Sequence, residues 1–103
     1  NNNYKRISMK IYLTAIIKSK PDFLSEIKST LENMVVHSRK ETACIQYDLH
    51  QSLDDENIFT FYEIWENQES LTQHNEQPYI KAFENLAKEK LQETPLIYVT
   101  QKI

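Results

Sequence analysis

The chain contains no glycine in its 103 residues, where ordinary usage of about 7% would supply roughly seven. Glycine takes positive φ without steric cost and lets a backbone come close to a ligand. Loops that cradle phosphates depend on it, so a Walker loop or a dinucleotide fingerprint is excluded by arithmetic. Turns must be built from other residues, with Asn and Asp expected wherever a left-handed residue is needed. A core is still affordable: 40% of the residues are hydrophobic and 26% charged, an ordinary balance for one globular domain. The net charge of −3 gives no pull towards nucleic acid, and no apolar run nears the roughly 18 residues that cross a bilayer. One cysteine, Cys44, cannot pair within the chain or found a zinc cluster, so a reducing, cytoplasmic setting is the expectation. Three scattered histidines without an i, i+4 pair offer no metal geometry.

Residues 1–8 precede Met9 and the first regular segment, and are expected to be a tag or disordered tail, leaving 9–103 as the domain. Lys10 to Lys18, rich in β-branched and aromatic residues, predicts a strand. Pro21 stands where a helix tolerates proline, and Phe23, Leu24, Ile27, Leu31, Met34, Val35 and Ser38 then form one stripe. Ala43–Leu53 and Ile58–Glu66 predict two strands joined by the polar turn Asp54-Asp55-Glu56-Asn57. Asn67 is a good N-cap for a short helix to about Asn75. Pro78 opens another helix, with Tyr79, Ile80, Phe83, Leu86, Ala87 and Leu91 on one face, and Pro95 precedes a last strand from Leu96 to about Gln101. The order is β-α-β-β-α-β, the α+β ferredoxin-like arrangement with an antiparallel sheet.

Both faces of this sheet are apolar. Ile11, Leu13, Ala15 and Ile17 share one face of the first strand, and Tyr12, Thr14 and Ile16 the other. The third strand repeats this with Phe59, Phe61 and Trp65 against Ile58, Tyr62 and Ile64. Helices on one side leave the second face bare, which predicts a homodimer with two sheets face to face.

Several short motifs follow one another in order: Lys20-Pro21, Ser38-Arg39-x-Glu41, Cys44-x-x-Tyr47-Asp48-Leu49-His50, Asp54-Asp55, Phe59-x-Phe61-Tyr62-Glu63-x-Trp65-Glu66, Leu71-x-x-His74 and Pro78. As a set they resemble the antibiotic biosynthesis monooxygenase domain, and within it the quinol-monooxygenase-like members of the dimeric α+β barrels. Ala43 departs from the glycine usual before the cysteine. The resemblance implies a pocket between sheet and helices in each protomer, where a small phenolic or quinol-type substrate is deprotonated and its anion meets molecular oxygen. No cofactor is implied; the protein supplies a base, apolar walls and exclusion of water. The family also includes haem-degrading enzymes and an isomerase of a signalling sugar derivative. The asparagine, tryptophan and histidine of the haem-degrading branch align with Ala15, His74 and Glu84, which speaks against that activity. An oxygenase, an isomerase of a small signalling metabolite and a non-catalytic dimeric ligand-binding module all remain open.

His74 is the candidate base. It follows Leu71 by three residues on the short helix, so both should face inward, with His74 at the pocket mouth. Its ordinary pKa near 6.5 suits proton abstraction, and the isomerase and quinol-oxygenase branches carry a histidine at this point of the motif. The plain alternative is a helix-end histidine satisfied by a carbonyl. Tyr47, His50, Glu63, Trp65 and Phe83 are the candidate pocket residues. Tyr47 could orient a substrate oxygen or simply pack in the core, and His50 could be a hairpin-end residue half in water. Glu63, a carboxylate beside Trp65 and Phe61, needs a partner if buried; Arg39 and His74 are the expected ones. His37 lies off the apolar stripe and should be solvated. Cys44 has no flanking base to activate it.

Overall fold

A computed structural model describes residues 8–103; apart from Ser8, the expected tail lies outside the described residues. Four strands, β1 (Ile11–Lys18), β2 (Cys44–Gln51), β3 (Ile58–Trp65) and β4 (Leu96–Thr100), form one sheet in the order β2-β3-β1-β4. Every neighbouring pair is antiparallel. Pro21–Phe23 makes a 3₁₀ turn that leads into α1 (Leu24–Ser38), which returns the chain to β2. Between β3 and β4 lie two helices, α2 (Gln68–Asn75) and α3 (Pro78–Lys90). The architecture is the expected ferredoxin-like α+β fold.

The core forms where the amphipathic faces meet. β1 buries Ile11, Leu13, Ala15 and Ile17, and β3 buries Phe59, Phe61, Glu63 and Trp65 on the same side. Onto that face α1 sets Ile27, Leu31 and Met34, and α3 sets Ile80 and Phe83. Each such aliphatic or aromatic burial stabilises by about 1.5–3 kcal/mol. Lys90 Nζ and Glu26 Oε1, 2.7 Å apart, tie the far ends of α3 and α1 together. No helix among the described residues is long and apolar enough to cross a membrane.

No described residue has a positive φ, so the left-handed Asn or Asp expected in the hairpin is not used. Ser52 Oγ instead accepts the amides of Asp54 and Asp55, each at 3.1 Å, and Asp55 Oδ1 accepts that of Asn57 at 2.9 Å. Side-chain oxygens reverse the chain here through local hydrogen bonds that compete with the strand ladder. This also ends β2 at Gln51, earlier than Leu53. A bulge interrupts β2 at its start: Cys44 pairs with Trp65 and Gln46 with Ile64, leaving Ile45 as the extra residue. The bulge resets the alternation, so Cys44 packs against the core and Tyr47 is buried in it.

Candidate functional site

β2 and β3 place Tyr47 directly opposite Glu63 on the inner face of the sheet. Above them runs α2, whose phase is set by its first turn. Asn67 Oδ1 accepts from the Ser70 amide at 2.9 Å while Ser70 Oγ accepts from the Asn67 amide at 3.2 Å, a reciprocal capping box. With the phase set, Leu71 and His74 both turn inward and are buried. His74 meets a cavity of about 820 Å³ between the sheet and α3, walled by Leu13, Ala15, Phe61, Ile80 and Phe83 and bordered also by Tyr47 and Glu63.

His74 is held on several sides. Its Nδ1 lies 2.7 Å from Glu41 Oε2, and the same oxygen accepts a hydrogen bond from the Tyr79 hydroxyl. Its ring sits 4.3 Å from the Trp65 ring and 5.5 Å from that of Tyr47, centroid to centroid. Tyr79 is fixed in turn by stacking on His37 at 5.1 Å. Glu41 Oε2 already accepts from Tyr79 and is taken to accept from His74 as well, so Nδ1 is assigned the proton and Nε2 carries the free lone pair. Burial pushes the His74 pKa below its ordinary value, outweighing the opposing pull of Glu41. The imidazole is therefore neutral at neutral pH and able to take a proton.

Glu63 pairs neither with Arg39 nor with His74. Its Oε1 accepts from the Trp65 indole Nε1–H at 2.9 Å, while Arg39 donates to the Tyr47 carbonyl at 3.0 Å and to Asp48 Oδ1 at 3.2 Å. Burial raises the Glu63 carboxyl to about 7, against the indole, which lowers it, and with Glu41, which adds to the rise. The Tyr47 phenol is pushed upwards by burial and by Glu63. Burial also raises the Cys44 thiol to about 11, which leaves it a poor thiolate.

Three expected placements are corrected. His74 lies in the buried wall of the cavity and not at its mouth, because Leu71 and His74 pack under α2 as a pair. Trp65 is fully buried and stands behind the cavity wall, where its indole supports His74 and Glu63. His50 points away from the cavity. It is on the strand face opposite Tyr47 and borders a separate groove with Val35, Val36 and Arg39. Phe83, Tyr47 and Glu63 do border the cavity. The sequence reading missed Glu41 and Tyr79 as partners of His74. Glu41 was visible in the Ser38-Arg39-x-Glu41 motif, but no spacing rule joins it to a histidine 33 positions away. Among the described residues no cluster of three His, Cys, Asp or Glu side chains could hold a metal ion.

The family model for antibiotic biosynthesis monooxygenase matches residues 10–86. The Bacillus subtilis (strain 168) protein named "Putative monooxygenase YcnE" is 37% identical over 81 residues, spanning 79% of this chain and 85% of that protein. The crystal structure of PA3566 from Pseudomonas aeruginosa superposes with a TM-score of 0.86 at 28% identity, covering 94% of this chain and 97% of the other. A conserved protein from Methanosarcina mazei Go1 superposes with a TM-score of 0.84 at 27% identity, covering 97% and 99%.

Proposed function

The chain belongs to the antibiotic biosynthesis monooxygenase family, and we propose that it oxidises a small phenolic or quinol-type substrate with molecular oxygen, using His74 as general base and no bound cofactor. The buried His74, bordering a cavity whose inner wall is apolar and with Glu41 on its Nδ1, carries this reading. A substrate hydroxyl placed at Nε2 gives up its proton to the imidazole. Glu41 keeps the ring in the required tautomer and steadies the imidazolium that forms, as an orienting carboxylate does in hydrolytic triads. Apolar walls exclude water and leave the phenolate electron-rich towards oxygen. When a quinol anion is oxygenated at a ring C–H and ends as a hydroxyquinone, one atom of O₂ enters the product and the other leaves as water. The substrate supplies all the electrons.

Oxygen uptake measured with a panel of phenols and quinols tests the proposal. We expect uptake with at least one of them, its loss under argon, and a fall of roughly 10²- to 10⁴-fold in His74→Gln. Turnover that persists under argon would instead mark an isomerase using the same histidine. A ligand that binds without turnover would mark a non-catalytic module. We also propose that the chain works as a homodimer, because the outer face of the sheet carries Tyr12, Ile16, Tyr62 and Tyr98, and among the described residues none of α1, α2 and α3 lies over them. On the outer face of β4, Leu96 is 43% exposed and Tyr98 54%.

A further inference from the structure

The cavity contains a group for which the proposed base has no use. Glu63 is the only buried carboxyl among the described residues, with 4% of its surface exposed. It is set between Leu13 of β1 and Tyr47 of β2 by the strand register. Trp65 Nε1 occupies Oε1. Oε2 has no hydrogen-bond partner among the described residues, yet it is not sealed in by protein, and the residue borders the cavity. A carboxyl oxygen left in such surroundings is costly unless something satisfies it. His74 and Glu63 also flank one indole: the His74 ring is 4.3 Å from the Trp65 ring, and Glu63 holds the Trp65 N–H. Both residues therefore border the cavity beside the same indole.

We propose that Glu63 Oε2 is a specificity-determining acceptor for a second hydrogen-bond donor on the ligand, so that the cavity selects a dihydric phenol over a phenol with a single hydroxyl. One hydroxyl faces His74 Nε2 and the other donates to Glu63. The assignment rests on the phenol-binding reading and adds a requirement to it. Glu63→Gln exchanges the chemistry at this point without changing its shape. The Trp65 N–H needs an acceptor, so it holds the amide oxygen and turns the NH₂ group into the cavity. An acceptor facing the ligand becomes a donor.

The test compares hydroquinone with 4-methoxyphenol, which keeps the second oxygen and lacks its proton. Both are titrated under argon by calorimetry, with the His74 ring signals followed by NMR. The titratable groups nearest Glu63 are Tyr47 on β2, His74 on α2 and Glu41 after α1, and Lys20, Glu84, Lys88 and Glu93 line the same cavity. At about pH 8.5 the Glu63 carboxyl, raised to about 7, is mostly ionised and purely an acceptor. Hydroquinone should bind at least about tenfold tighter than its methyl ether, the scale of one hydrogen bond to a charged group. In Glu63→Gln that ratio should fall to near unity or invert. Equal affinities in the native protein, with both probes shifting His74, would overturn the role of Glu63 and leave phenol binding standing; this comparison needs no variant. An unchanged ratio in folded Glu63→Gln would overturn it as well. If neither probe binds at millimolar concentration, the phenol reading fails and the role of Glu63 fails with it.

Discussion

His74 does its proposed work only as one of its two neutral tautomers, and Glu41 selects which. Replacing Glu41 by Gln removes the acceptor-only partner from Nδ1, so ¹⁵N NMR of His74 should show a mixture of tautomers where the native protein shows the Nδ1–H form. Turnover should fall by roughly two to four orders of magnitude, as when an orienting carboxylate is lost from a triad. In the native protein turnover should rise with pH through a midpoint below the ordinary 6.5, since burial lowers the His74 pKa and the proposed base must be neutral. An alanine at 74 would open space beside Trp65 and strip Glu41 of a partner, so His74→Gln separates chemistry from stability better. Glu63 makes a second pH-dependent contribution. Its carboxyl is raised from 4.5 to about 7, so the folded state holds the proton more tightly than the unfolded one. Stability from this source is complete below pH 4.5 and is lost as pH rises through about 7, to the extent of on the order of 3 kcal/mol. His74, with a lowered pKa, acts in the opposite sense around pH 6.5. Denaturant unfolding of the native protein and Glu63→Gln, compared between pH 5 and 8, isolates the carboxyl: the variant should gain relative stability as pH rises, and parallel curves would refute the raised pKa.

The elements that present these side chains are short, so their ends matter. α2 has only 8 residues, too few to persist on propensity, and its capping box and buried Leu71 hold it in place. Asn67→Ala removes the acceptor of the Ser70 amide and should cost about 1 kcal/mol, visible as a lower melting temperature. Because His74 rides on this helix, the same change should broaden its ring signals; a lower melting temperature with unaltered His74 signals would separate the cap from the site. The β2–β3 turn shows how a chain without glycine reverses. Ser52 and Asp55 accept amides that glycine-based turns would leave to backbone carbonyls, so no left-handed residue is required.

For the molecule as a whole, the unresolved demand is the second face of the sheet. The inner face is covered by α1, α2 and α3, whereas the outer face sets a half-buried Ile16 between Thr60 and Leu96, with none of these three helices above them. In the proposed homodimer this face is the contact between protomers. Light scattering at micromolar concentration should give about twice the chain mass. Ile16→Glu, which would bury an unpaired charge in that interface at a cost of several kcal/mol, should yield monomer or unfold. A native protein that stays monomeric would refute the face-to-face pairing.

The order of elements, the inner face of each strand and helix, the cap at Asn67 and the inward turn of His74 were all legible in the linear chain. Each is a matter of period and near neighbours: alternation in β1, the stripe of α1, and the three-residue step from Leu71 to His74. Partnerships were not legible. The bulge at Ile45 put Cys44 and Tyr47 on one face despite their odd spacing, and Glu63 took the indole of Trp65 in place of Arg39. Glu41 reached His74 from 33 residues away. Periodicity records which residues share a face, a local property of the backbone, whereas which faces and ends come together depends on how helices and sheet pack and on which buried polar groups can satisfy one another.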